Sequence, residues 1–356
     1  MKEERLLRIG VLGAGQIAQA AHFESCVKAR NAELYAICDV ADDLRERMAV
    51  THGARRTFGD YDAMLADPDV EAVIIATADA FHVDASIRAL EAGKQVLCEK
   101  PMATSVEDAE RLRDAVAKSG RVLHVGHMKR YDGGIEAAKE FIDRDMGQML
   151  SLKAWYCDST HRYAMTDAVQ PAIVTSAGSR RPAGDPKADR QRYLMLAHGS
   201  HLVDLARFLG GEIETVEARL RESHGARCWF ILVGFASGAI GHLDLTVAVR
   251  MDWHEGFEVQ GEHGGILAKT YNPWYYKSSD IEIFHESDAT FRRPLIADGH
   301  FYRRQVEGFA DAALTGRPAR GATAEDGIAS VRAMVAIAQS VREGRPVRLA
   351  DAAGPV

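Results

Sequence analysis

The stretch Val96-Leu97-Cys98-Glu99-Lys100-Pro101-Met102 sets an acid, an amine and a proline directly after an apolar run. A charged pair at such a place could simply meet water. It could also do chemistry, because an ammonium can steady an oxygen that is losing its proton. A second stretch, Leu196-Ala197-His198-Gly199-Ser200-His201-Leu202-Val203-Asp204, spaces two imidazoles and a carboxylate at i, i+3 and i+6. On a helix these three share a face. A lysine and a histidine meeting over a nicotinamide ring would make the proton-transfer pair that alcohol oxidation needs. Two histidines and an aspartate could also ligate a metal, but neither an HExxH pattern nor a cysteine cluster accompanies them, so no metal is expected. Asp204 reads better as structural.

A third stretch explains why a nicotinamide comes into question. Gly13-Ala14-Gly15-Gln16-Ile17-Ala18 follows the apolar run Leu6–Leu12 and opens a helical pattern. In this G-x-G-x-x-A order the first glycine permits a tight turn and the second lets backbone approach a pyrophosphate. The small Ala18 allows close helix–strand packing. Free N–H groups of Gln16 and Ile17 at the helix start would meet the phosphates. Asp39 closes the next apolar run, 24 residues beyond Gly15 and 26 beyond Gly13. An acid there accepts from a ribose 2′-hydroxyl and repels a 2′-phosphate, which favours NAD over NADP. The alternative for Asp39 is a helix cap.

These residues need strands that end at one edge. Apolar runs at Leu6–Leu12, Ala32–Asp39, Val70–Thr77, Lys94–Lys100 and Arg121–His127 alternate with helical patterns. Gly53, Gly93 and Gly120 stand at helix ends, and Ser105-x-x-Asp108 is an N-cap signal. Strict strand–helix alternation with wholly apolar strands predicts an α/β fold, a doubly wound parallel sheet over residues 1–128. Ligands bind such sheets at the carboxyl edge, which is where Glu99-Lys100-Pro101 would lie. After Met128 the pattern changes. Residues 149–157 and 214–285 alternate as strands with glycine punctuation, which predicts an open, mostly antiparallel sheet in an α+β domain spanning 129–356. Helical patterns return near 194–209, 300–314 and 323–343. Residues 158–192 form an unassigned insertion; segments of this kind serve as lids or oligomer contacts. Its arginine- and tyrosine-bearing pieces at 161–163, 179–182 and 189–193 suit sugar hydroxyls or a solvated loop.

The bulk composition limits the alternatives. The chain has 356 residues, 47% hydrophobic, which suffices for two cores. A net charge of −7 with interspersed signs gives no basis for a nucleic-acid partner. No apolar run approaches a membrane span of roughly 18 residues. Cys26, Cys38, Cys98, Cys157 and Cys228 are widely spaced and lack a CxxC pair, so they read as reduced thiols of a cytoplasmic protein.

The glycine fingerprint, Glu99-Lys100-Pro101, Gly199-Ser200-His201-x-x-Asp204 and the domain order together resemble the glucose–fructose oxidoreductase / inositol dehydrogenase / rhizopine-catabolism (Gfo/Idh/MocA) family. Residues 76–84, 125–132 and 323–349 resemble its segments too. The resemblance implies an NAD-dependent dehydrogenase acting on a secondary hydroxyl of a sugar, glycoside or cyclitol. It implies that Lys100 binds the substrate hydroxyl and touches the cofactor, and that His201 is its acid/base partner. It also implies that Glu99 contacts the nicotinamide ribose, that Thr77, Ala78 and His82 line the cofactor, and that the bond before Pro101 is cis. Arg130, Tyr131 and His198 join the candidate substrate-binding set, although Lys129 and Arg130 read equally as surface residues. The family places an acid four residues before the histidine; here that place holds Ala197, and His198 stands next to it. Trp274, Tyr275 and Tyr276 suit either a sugar face or a subunit interface, and the family implies a homodimer or homotetramer. Two other readings stay open: a glycoside 3-oxidoreductase that keeps its cofactor for internal redox, and a non-catalytic NAD and sugar sensor.

Overall fold

The structure is a computed structural model that describes residues 5–161, 166–183, 185, 187–317 and 320–356. Six strands, β1 (Leu7–Leu12), β2 (Ala32–Cys38), β3 (Arg56–Phe58), β4 (Ala72–Ile75), β5 (Gln95–Cys98) and β6 (Leu123–Val125), form one sheet in the order β3-β2-β1-β4-β5-β6. Every pair in it is parallel. Every residue of β4 is buried, as expected for a strand covered on both faces. The helices α1 (Phe23–Lys28), α2 (Asp42–His52), α3 (Tyr61–Ala66), α4 (His82–Glu91) and α5 (Val106–Ser119) alternate with them. Gly53 and Gly120 end α2 and α5 at φ 71° and 64°, and the Ser105 side chain accepts from Asp108 N–H.

From Lys129 the chain builds the second sheet. Its elements are α6 (Gly133–Arg144), β7 (Met149–Ser159), α7 (Arg190–Leu194), α8 (Ser200–Gly210), β8 (Ile213–Ser223), β9 (Ala226–Phe235) and β10 (Ile240–Val249). They continue with β11 (His254–Gly261), β12 (Gly264–Thr270), β13 (Asp280–His285), β14 (Thr290–Arg292) and β15 (Val347–Arg348). The strand order is β14-β13-β12-β11-β7-β10-β9-β8-β15. Sequential neighbours pair antiparallel, whereas β7 and β10 pair parallel. A long connection separates those two, so no hairpin dictates their direction.

The chain divides into two compact units at Met128/Lys129. The first also takes in 170–188 and 300–328, and the second holds 129–169, 189–299 and 329–356. The helix α9 (Phe301–Thr315) accounts for one of these returns. Its Val306, Phe309 and Ala310, at i, i+3 and i+4, enter the same cluster as Ile9, Val11 and Ile37. Amphipathic spacing marks a helix but does not say which core it joins, so a single cut at 128 is all that the sequence pattern suggests. The last α-helix among the described residues is α10 (Ala324–Glu343). The insertion also gains structure: Asp189 caps α7 by accepting from Arg192 N–H. Arg162 and Tyr163 lie outside the described residues. No helix among the described residues is long and apolar enough to cross a membrane.

Phe309 is fully buried in the first unit's core. Phe309→Ala is expected to lower unfolding free energy by about 3–5 kcal/mol. Urea denaturation followed by circular dichroism measures this, and a loss under about 1 kcal/mol would mean that α9 is dispensable to that core.

Candidate functional site

The first unit's site begins where β1 ends. Gly13 turns the chain at φ +94°, and a Cβ there would lie 2.8 Å from the Ala76 carbonyl oxygen. Its N–H donates to the Cys38 carbonyl at 2.8 Å. A Cβ on Gly15 would meet nothing within 4 Å, so open space lies beside this backbone, as an approaching pyrophosphate requires. Gln16 and Ile17 begin the helical run, and Ala18 is fully buried at the helix–sheet contact. The Asp39 carboxylate accepts from Ala14 N–H at 2.8 Å through one oxygen and from Ala41 N–H at 2.9 Å through the other. It therefore ties the glycine turn to the end of β2. The donor set, the open space and the acid fit a dinucleotide.

Glu99 and Lys100 follow β5. Glu99 is buried, and His22 Nε2–H donates to its carboxylate at 2.8 Å. The other carboxylate oxygen accepts from Lys100 N–H at 3.0 Å. Burial pushes the Glu99 carboxyl upward, but the bond from His22 and the nearby Lys100 charge outweigh it and hold it below the usual range. A Cβ on Gly126 would stand 3.1 Å from the Glu99 carboxyl carbon, so the segment after β6 also closes on this side chain. The Lys100–Pro101 bond is cis. His82 sits between two carbonyls: Nδ1 faces Pro101 O at 2.8 Å and Nε2 faces Thr77 O at 3.1 Å. It thus joins the segment after β4, with Thr77 and Ala78, to the segment after β5. Burial opposes a charge on this ring, but the Cys98 sulfur and the two carbonyls outweigh it and raise the pKa to about 9.

The second unit assembles another cluster at the end of β7. A π-helical turn, Met195–Gly199, precedes α8 and carries His198, and His201 follows within α8. Both histidines reach Tyr156 of β7. The His201 and Tyr156 rings are parallel to within 4°, centroids 6.1 Å apart. His198 Nδ1 lies 3.3 Å from the Tyr156 hydroxyl, and its Nε2 lies 3.6 Å from the Asp158 carboxylate. Trp253 meets Tyr156 edge-on, and Lys129 Nζ stands 4.6 Å from the tyrosine ring centre. Lys129 forms a buried ion pair with Glu255. Burial pulls the Lys129 ammonium down and pushes the Glu255 carboxyl up, each opposed by the partner's charge.

The remaining candidates fall beside this cluster. The Arg130 guanidinium grips Asp204 through Nε and Nη2, at 2.7 Å for the shortest contact, and both are buried. Tyr131 is buried in the 3₁₀ turn Met128–Tyr131. Asp204 thus serves Arg130 while the two histidines serve Tyr156. Among the described residues no group of three or more His, Cys, Asp or Glu is arranged to hold a metal. All five cysteines are free thiols.

His22, Tyr156, Asp158, Glu255 and Trp253 were not singled out from sequence as site residues, and Lys129 was read there as either a surface or a cleft residue. Asp158 is among the last four residues of β7, all of them buried, so the strand's inside–outside alternation fails where the acid lies, which only the structure shows. The acid missing at Ala197 is matched by a carboxylate beside His198 that comes from a strand about 40 residues earlier in the chain.

Fold and fingerprint define a dinucleotide-binding oxidoreductase, and comparison with known proteins agrees. Residues 7–127 match the model of an oxidoreductase family with an NAD-binding Rossmann fold. Residues 194–349 match the C-terminal alpha/beta domain of the same family. The chain belongs to this Gfo/Idh/MocA oxidoreductase family, and its cofactor is NAD. It is 31% identical to inositol 2-dehydrogenase 2 of Saccharopolyspora erythraea, over 97% of this chain and 96% of that one. It is 26% identical to the myo-inositol 2-dehydrogenase of Thermotoga maritima, over 98% and 100%. A solved scyllo-inositol dehydrogenase of Lactobacillus casei, with NAD(H) and scyllo-inositol bound, shares the fold at TM-score 0.74 and 20% identity, over 97% and 100% of the two chains.

The raised His82 pKa has a consequence for stability. A folded value of about 9 against 6.5 for the free group means that the fold favours the protonated ring. The stabilisation is present below about pH 6.5 and disappears as pH rises through 9. Melting temperature should therefore fall between pH 6.5 and 9.5 in the natural protein. His82→Gln should flatten that slope, and an equal slope in both proteins would remove His82 as its source.

Proposed function

We propose that this chain reversibly oxidises a secondary hydroxyl of a cyclitol, sugar or glycoside, with transfer of a hydride between that carbon and NAD. The observation that carries the reading is Glu99-Lys100-Pro101 at the carboxyl edge of the sheet that bears the dinucleotide fingerprint, with Glu99 locked by His22. Two full-length relatives named as inositol 2-dehydrogenases support the substrate class. When bound, NAD supplies the hydride acceptor at its nicotinamide ring. Lys100 holds the substrate hydroxyl oxygen, and its charge stabilises that oxygen as the proton leaves. His201 takes the proton. Its ring runs parallel to that of Tyr156, centroids 6.1 Å apart, a contact that favours one orientation of the imidazole. Asp158 and His198 fill the role of the acid that Ala197 cannot supply.

Lys100→Met should keep NAD affinity within a few-fold and lose most turnover on a panel of inositols, monosaccharides and glycosides, followed by NADH absorbance. Turnover that survives would remove Lys100 from the chemistry. Silence of the natural protein on every compound, with NAD bound, would favour a sensor or an internal redox cycle. Asp158→Asn should lower kcat about tenfold or more and displace the acidic limb of the pH–rate profile, with NAD affinity unchanged. A profile of natural shape would make Asp158 a packing residue.

The outer face of the second sheet exposes Phe230 (53%), Leu232 (57%) and Ile240 (67%) on adjacent strands β9 and β10. Exposed apolar side chains gathered in this way suit a protein contact. The proposed assembly is a homo-oligomer through this face. Sedimentation of Leu232→Glu should show a smaller species than the natural protein.

A further inference from the structure

Part of the 158–192 insertion belongs to the first unit, where residues 174–180 make four successive attachments. Gln19 pairs with the Val174 backbone, donating to its carbonyl and accepting from its N–H, both at 2.9 Å. The same Gln19 amide donates to the Ala14 carbonyl of the glycine turn at 2.8 Å. Ser176 donates to the Asp43 carboxylate at 2.7 Å. Gly178 lies against Ala41, so that a Cβ on it would stand 3.5 Å from the Ala41 Cβ. The Arg180 guanidinium lies 4.8 Å from the centre of the Phe81 ring.

These attachments fall on the connections that follow β1, β2 and β4, three adjacent strands in the order β2-β1-β4. In a doubly wound sheet the pyrophosphate lies at the first of these connections and the adenosine ribose at the acid that closes the second. Ala41 and Asp43, which Gly178 and Ser176 touch, lie two and four residues beyond Asp39, and Arg180 reaches Phe81 on the β4 side. We infer that residues 174–180 belong to the cofactor site as a strap over the adenosine half of NAD, and that they set how slowly the cofactor leaves. The inference rests on the NAD-binding reading. Each attachment is modest, one or two hydrogen bonds, a close packing contact or a cation–π interaction, so the strap can open without unfolding the unit.

Two changes test it, each read by stopped-flow NADH fluorescence. Ser176→Ala/Arg180→Ala removes two attachments and should speed NADH release about tenfold or more, since one net hydrogen bond is worth about fivefold. Ala41→Cys/Gly178→Cys places two thiols at a Cβ separation that a disulfide spans. When oxidised, that pair should slow both NADH entry and release at least about tenfold, and dithiothreitol should restore both rates. The single-cysteine variants should behave the same with and without oxidant. Natural release rates in the alanine variant overturn the strap, as do unchanged rates in a variant whose disulfide is shown by mass spectrometry. If the natural protein binds no NADH in the same assay, the cofactor reading falls and the strap falls with it.

Discussion

A carboxylate removed from water is costly unless hydrogen bonds and charge replace what the solvent supplied. Glu99 is such a group, and the first unit's site depends on how it is satisfied. Its partner His22 belongs to the π-helical turn Ala18–His22, directly after the glycine fingerprint. The bond between them joins the connection after β1 to the connection after β5. Lys100 then follows Glu99 with its own N–H committed to the same carboxylate, so its backbone has little freedom. His82 adds a second tie, from the segment after β4 to Pro101. Asp39 adds a third, from β2 to the glycine turn. Four strand ends are thereby held together by side chains with few conformations left, which is the preorganisation that precise positioning of a reacting group requires.

The second unit solves the same problem with an aromatic ring. Tyr156 meets His198, His201, Trp253 and Lys129, so one rigid side chain sets the positions of four others. The Lys129–Glu255 pair gains its attraction in a dry setting, where a lone charge would be strongly unfavourable. Both units also use a π-turn to carry a histidine, His22 in one and His198 in the other. A π-turn inserts one residue into a helix and redirects the side chains beyond it. Such turns are rare and concentrate at functional positions.

Much of the cofactor site was legible because its requirements are local. A turn at φ +94° and backbone open to a ligand demand glycine at set positions, and these were visible as Gly13 and Gly15. The buried parallel strands appeared as continuous apolar runs, and the ends of α2 and α5 appeared as Gly53 and Gly120. The cluster around Tyr156 was less legible. His198 and His201 stood out by type and spacing, but their partners come from β7 and from Trp253, distant in sequence. A tyrosine or an aspartate in an alternating strand has no mark that distinguishes a site residue from a core or surface one. The destinations of α9 and of residues 170–188 were hidden for the same reason, since amphipathicity or polarity shows that a segment needs a surface without naming it.

By itself the sequence determined the strand–helix alternation, the dinucleotide fingerprint with its acid, and the positions of Lys100, His198 and His201 on which the proposed proton transfer rests. Backbone conformation and hydrophobic period act over a few residues, so they are written into neighbouring positions. Tertiary structure alone decided that His22 satisfies Glu99, that Asp158 stands beside His198 where Ala197 leaves no acid, and that Gln19 and Asp43 hold the 174–180 segment. Those pairings join residues from about 40 to 155 positions apart, and only the packing of two cores determines which buried polar groups end within reach of each other.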